Sequence, residues 1–204
     1  MLTSHPITQE TSKQRHGFTL VELLVVIAII AILSAIVFGL SRGVAVKQAN
    51  TKAEAELQTL GSALEAYKLK YGDYPWIGAD TDGTELYKHL TGALRMKATG
   101  NGTVTYENAD GVPFIDSGAF TTAGSNSEKY IIDPWGQPYR YYYRNSSNGN
   151  SWSYPTFILM SVGPDGQTAS GSSNLARGDI RSSYFEEGGA NAYNLDNLVY
   201  GVEF

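Results

Sequence analysis

The chain has 204 residues, with 15 basic and 20 acidic side chains, no cysteine, 22 glycines and 14 tyrosines. The lack of cysteine excludes a disulfide framework and any thiolate metal site. A formal charge of -5 argues against nucleic-acid binding, which needs a basic patch to release counterions from phosphate. Charged residues make up only 17% of the chain, below the usual share in soluble domains, and this points to membrane or assembly surfaces.

Residues 1–17 form a polar leader that closes on Lys13, Arg15, His16 and Gly17. Its basic end resembles the start of an export signal, but no small-residue cleavage site follows the apolar run. Phe18 to Leu40 then continues for about 23 residues where a hydrocarbon core needs about 20 in helical form. Leu, Ile, Val and Ala fill every side of it, which predicts a membrane helix rather than an amphipathic one. Lys13 and Arg15 before it and Arg42, Lys47 and Lys52 after it leave the orientation undetermined. Glu22 interrupts the run near its start, at a cost of about 2.5–3.5 kcal/mol for a carboxylate at membrane depth. Two readings of Glu22 stay open. It sits at the interface near the positive end of the helix dipole, or it pairs with a neighbouring subunit's amine, freed at Phe18 by cleavage after Gly17.

Gly17-Phe18-Thr19-Leu20-Val21-Glu22, followed by an unbroken apolar helix, resembles the processing site of type IV pilins and type II secretion pseudopilins. The resemblance implies that a prepilin peptidase cuts after Gly17 and methylates the new amine of Phe18, and that Glu22 serves assembly. It also implies a cytoplasmic leader and an external remainder, with the subunit polymerising into a fibre on an inner-membrane assembly platform. The expected fold class is α+β and type IV pilin-like: a long N-terminal helix, half transmembrane and half amphipathic, packed on a small antiparallel sheet. The expected divisions are a leader at 1–17, a transmembrane and assembly helix at 18–41, and a periplasmic domain at 42–204. Gly39 departs from the proline found there in many members; glycine weakens a helix by about 1 kcal/mol without removing a hydrogen bond.

Beyond the apolar run, Val46, Ala49, Ala53, Leu57, Leu60, Leu64, Tyr67 and Tyr71 recur at steps of three and four, so the helix becomes one-sided. Phe18 to about Tyr71 reads as one helix of about 80 Å at 1.5 Å per residue, with Gly43 and Gly61 as close-packing points or bends. Tyr71-Gly72-Asp73-Tyr74-Pro75 ends it, since glycine suits the C-terminal cap and the residue before proline avoids helix. Ala63 to Lys68 together with Tyr74-Pro75 resembles the helix exit of major type II secretion pseudopilins. Asp82-Gly83-Thr84 starts a short helix reaching about Leu90, with Thr84 or Asp82 as its cap. Asp80-x-Asp82-Gly is read as turn and cap, although it is also a fragment of a calcium loop.

Residues 91–129, rich in Gly, Thr, Ser and Asn, read as a variable loop holding at most a short strand or hairpin. The sheet and metal loop are expected in 130–204. Tyr130-Ile131-Ile132 is followed by a type I turn at Asp133-Pro134-Trp135-Gly136, and then by strands at 139–144 and 156–161. Alternation puts Tyr139, Tyr141 and Tyr143 on one face and Arg140, Tyr142 and Arg144 on the other. The tyrosines are either packing against the long helix or a sugar-stacking platform. Asp133 to Tyr139 again resembles the turn and strand of major pseudopilins, and 198–204 is expected to close the sheet.

Ser161-Val162-Gly163-Pro164-Asp165-Gly166 and Gly178-Asp179-Ile180 flank a long polar tract. On residue chemistry, Asp165 is a turn residue and Asp179 a cap, or the two hold a calcium ion, which accepts carboxylates and backbone carbonyls. The resemblance to the calcium loop of major pseudopilins implies the second, with Asp196 as a candidate extra ligand. No enzyme motif appears, and His89 is the only histidine after the leader. The resemblance implies a non-enzymatic subunit of a type II secretion pseudopilus, driving export across the outer membrane. The alternative is a type IV pilus pilin with an adhesive or sugar-binding role.

Overall fold

The computed structural model describes residues 18–99, 104–109, 111–145, 152–168, 175, 178 and 197–201. Residues up to Ala45 and residues from Val46 onward form two compact units. Helix α1 (Leu20–Tyr71, 52 residues) contributes to both and is helical through Gly39.

Among the described residues of the first unit the apolar side chains enter no core. Phe18, Leu20, Val21 and Leu23 are at least 60% exposed, and Ile27, Ile30 and Leu33 are also largely exposed. Among the described residues no helix is long and apolar enough to cross a membrane. The segment expected to do so, Phe18 to Leu40, runs into 37–43, whose side chains lie outside the described residues.

In the second unit the helical stripe explains the core. Ala53, Leu57, Leu60, Leu64 and Tyr67 are buried, whereas Val46 is exposed and Ala49 and Tyr71 are only half-buried. Steps of four and three keep these five on one face. Leu57, Leu60 and Leu64 pack with Tyr139, Tyr141, Tyr143, Phe157 and Leu159 in the largest apolar cluster, and Tyr67 joins a smaller one with Met96 and Val104. Each such burial is worth about 1.5–3 kcal/mol, so this contact outweighs any local helix propensity.

The partner is a four-stranded antiparallel sheet in the order β1 (Ile77–Asp80), β6 (Arg140–Asn145), β7 (Ile158–Ser161) and β8 (Leu198–Val199). Tyr141 lies opposite Leu159, and both join the helix-side cluster; Tyr142 lies opposite Ile158, and both join a second cluster with Met160, Val162 and Leu175. The sheet is thus covered on both faces. Strand β7 begins two residues later than expected, and β8 gives way to a turn at Tyr200–Gly201, with 202–204 outside the described residues. Tyr200 rests on α1 where Gly61 leaves room, which makes Gly61 a close-packing point.

Gly72, at φ +92°, ends α1 in the left-handed conformation, and its amide donates to the Lys68 carbonyl at 2.7 Å. Helix α2 (Thr84–Leu90) corrects the expected cap: Gly83 holds that position at φ +74°. The capping oxygens come from upstream instead. Asp80 accepts the Gly83 and Leu86 amides at 3.1 and 2.7 Å, and Asp82 accepts the Thr84 amide at 3.1 Å. Within 91–129 the chain forms a hairpin of β2 (Leu94–Ala98) and β3 (Val104–Asn108), followed by two short 3-10 turns and β4 (Thr122–Ala123), which pairs with β5 (Tyr130–Ile131). Met96 and Val104 seat the hairpin on Tyr67.

Candidate functional site

Helix α1 opens with a reciprocal cap. The Thr19 amide and hydroxyl both donate to Glu22 Oε2 at 2.9 Å, and the Glu22 amide donates to Thr19 Oγ1 at 3.2 Å. This is the capping box that Thr-x-x-Glu encodes, and it satisfies two of the amides that every helix start leaves open. Thr19 is a functional residue of this site that only the three-residue spacing to Glu22 signals in the sequence. Glu22 is exposed, and Phe18, immediately before the cap, is 84% exposed. Gly17 lies outside the described residues. The box gives the Glu22 carboxylate two donors of its own chain, which offsets part of the cost of an acidic group in an apolar segment.

The expected metal loop is described only on one side. Residues 163–166 form a turn with Gly163 at φ +66° and Gly166 at φ +68°, and Asp165 is exposed at its tip. Asp165 Oδ1 accepts the Gln167 amide at 2.7 Å, as a turn aspartate does. Asp179 and Asp196 lie outside the described residues. Among the described residues no three His, Cys, Asp or Glu side chains come together. The donors available at this loop are oxygens, which suits a hard cation such as calcium and no softer metal.

What fixes the described side of that loop is Asp133. Its Oδ1 accepts the Trp135 and Gln137 amides at 3.0 and 2.8 Å, and its Oδ2 accepts the Ser161 hydroxyl at 2.5 Å. Ser161 Oγ in turn accepts the Gly163 amide at 3.1 Å. The type I turn, closed by Gly136 N–H to the Asp133 carbonyl at 3.0 Å, is thereby bonded to the start of the 163–168 loop. Arg140 Nη1 donates to Thr168 Oγ1 at 3.0 Å and holds its far end. The tyrosine strand is packing surface rather than an open platform, because Tyr139, Tyr141, Tyr142 and Tyr143 are all buried.

The pattern of the prokaryotic N-terminal methylation motif matches residues 12–38, spanning Gly17, Phe18 and the capping box. Beyond it, the type II secretion system core protein G of Pseudomonas aeruginosa is 31% identical over 164 residues, covering 80% of this chain and 93% of the relative. The chain belongs to the type II secretion system core protein G family. The core protein G of Escherichia coli is 30% identical over 161 residues, covering 77% of this chain and 86% of that one. No solved structure matches. The core protein G family and the methylation motif together identify a pseudopilin subunit of a membrane-associated assembly, and they do not favour a type IV pilus pilin. As the type IV pilin-like resemblance implies, a long helix on a small antiparallel sheet makes the fold α+β.

Proposed function

We propose that this subunit is a non-enzymatic, mechanical part of a type II secretion machine, polymerising with other pseudopilins to drive folded proteins across the outer membrane. The observation that carries this is the Thr19–Glu22 cap standing one residue after Phe18, inside the methylation motif, at the head of an exposed apolar helix. Prepilin peptidase cuts between Gly17 and Phe18 and methylates the new amine. The amine is then one residue from Thr19, at the helix end where the carboxylate already sits, and a neighbour's amine exchanges with the Thr19 donors for Glu22. Before assembly the apolar helix crosses the inner membrane once, with the leader in the cytoplasm and the second unit in the periplasm. The assembly platform of the inner membrane extracts it from there.

We infer calcium as a structural ion beside the 163–168 loop, with Asp165 and Asp179 as carboxylate ligands and Asp196 as an addition. The Asp133–Ser161–Gly163 bonds hold one side of that loop, and the ion supplies the attraction that joins the carboxylates.

Intact mass spectrometry of the mature chain tests the processing step: it is expected to start at a methylated Phe18, and a mature chain retaining 1–17 in a host carrying prepilin peptidase would overturn it. Glu22→Ala tests assembly. That variant should insert and be cleaved, because losing a charge eases insertion, but fibres and secretion should fail. Normal secretion from it would reject the pairing. Gene deletion with loss of secreted proteins and intact twitching supports secretion, and the reverse pattern supports a pilus.

A further inference from the structure

His89 lies in the last turn of α2 with its side chain fully buried, against α1 and the β2–β3 hairpin. Its Nδ1 stands 3.1 Å from the Tyr67 hydroxyl of α1, and that hydroxyl accepts the Met96 amide of β2 at 2.8 Å. The imidazole lies edge-on to Tyr67 and Tyr106, at 5.6 and 5.3 Å between ring centres. The Tyr106 hydroxyl donates to the Trp76 carbonyl and so is turned away from the imidazole. His89 Nε2 is buried and has no hydrogen bond of good geometry.

The Tyr67 hydroxyl already accepts the Met96 amide, so we assign its own proton to Nδ1, which places the ring proton on Nε2. Three elements therefore meet through one hydroxyl: α1 supplies it, β2 donates to it and α2 receives from it.

We propose that His89 is a proton-operated latch, which when neutral holds the β2–β3 hairpin to α1 and α2 through Tyr67 and when protonated releases it. Protonation turns Nδ1 from acceptor to donor, so two N–H groups face the Tyr67 oxygen and the Tyr67 proton loses its acceptor. The charge created is buried, and among the described residues no carboxylate is bonded to it. On α2 itself, Glu85 favours the cation and Lys88 opposes it, and these two are bonded to each other at 2.7 Å. On α1 the facing groups are Tyr67 and Tyr71, and on β3 Tyr106; Arg95 and Lys97 of β2 are paired with Glu107. The Leu94 backbone favours the cation too, but burial outweighs it and holds the His89 ring down at about 4. The sign follows: a neutral, buried imidazole contributes fully above the unfolded value of about 6.5, and its contribution is lost as pH falls through about 4. The hairpin is the element that yields, because Met96 and Val104 are the side chains that seat it in its small cluster.

The test is amide hydrogen exchange on the full chain in detergent micelles, corrected for the intrinsic pH dependence, from pH 7.5 to 4. Met96 should lose protection by roughly tenfold or more between pH 6.5 and 4.5, while Leu60 and Leu159 keep theirs. His89→Gln should remove the pH dependence of Met96, and Tyr67→Phe should leave Met96 poorly protected already at pH 7.5. Imidazole nitrogen shifts at pH 7.5 should place the His89 proton on Nε2, a readout that needs no variant to fold. Protection of Met96 that stays level down to pH 4, or that falls identically in His89→Gln, or a proton found on Nδ1, would overturn the latch.

Discussion

The Tyr139 hydroxyl donates to Glu56 Oε2 at 2.6 Å across 83 positions of the chain, and both residues are buried. Lys52, four residues before Glu56, approaches the other oxygen at 3.7 Å. Burial, and then the Glu56 carboxylate, push the Tyr139 phenol well above its ordinary range, so it stays a donor at any physiological pH. Tyr139→Phe leaves that carboxylate short of a partner and should cost about 1.5–3 kcal/mol, as bonds to charged groups do. Glu56→Gln keeps an acceptor oxygen and should cost less. Chemical unfolding followed by tryptophan fluorescence would rank the two, and the opposite order would show that the contact is incidental.

Gly61→Ala should destabilise the second unit, although alanine inside a helix ordinarily gains about 0.5–1 kcal/mol over glycine. A Cβ there overlaps the Tyr200 ring, and overpacking typically costs about 1–3 kcal/mol. Pairing it with Tyr200→Ala should make the alanine favourable again. A double-mutant cycle on the melting temperature reads this directly; purely additive effects would mean that Tyr200 does not seat there.

Asp80 sets a second pH dependence, opposite in sign to that of His89. Burial raises its carboxyl to about 7, outweighing the Leu86 and Gly83 amides that favour the charged form. A folded-state value above the unfolded one of about 3.8 means that the contribution is complete below about 3.8 and is lost as pH rises through about 7. Relative to Asp80→Asn, which cannot ionise, the parent should lose on the order of 2–4 kcal/mol between pH 4 and pH 8. Both chains carry His89, so their difference isolates Asp80. Parallel stability curves would show that the side chain ionises without penalty.

Calcium should raise the melting temperature of the second unit, and chelation should lower it. An ion bound only by the folded state adds about 2.7 kcal/mol at a hundredfold excess over its Kd. Asp165→Ala and Asp179→Ala should each abolish the shift. If the parent melts at the same temperature in millimolar calcium and in chelator, Asp165 is a turn residue and not a calcium ligand.

The end of α1 was legible because Gly72 and Pro75 each act on their own backbone, and periodicity marked Ala53 to Tyr67 as the buried stripe. Alternation also assigned the faces of β6 correctly. It could not say that the far face is covered, because that depends on Ile158, Met160 and Leu175 arriving from elsewhere in the chain. The hairpin hid inside a polar stretch, its register visible only once Leu94 is set opposite Asn108. At the candidate site, Thr19 was readable from a three-residue spacing, whereas the Asp133–Ser161 bond joins residues 28 apart and leaves no local trace. The cap of α2 was misplaced because Asp80 reaches six residues forward to Leu86, farther than a conventional N-cap does.

The sheet order β1-β6-β7-β8 also sets a timetable. A growing chain makes Leu57, Leu60 and Leu64 long before Tyr139 and Leu159 exist to cover them, and β1 waits for β6 across all the residues between Asp80 and Arg140. Only when β8 and Tyr200 appear does the groove at Gly61 fill. Pairings this distant make folding slow, so the second unit matures as a late event, governed by the direction of synthesis, with its helix ready first and its last strand acting as the closing piece.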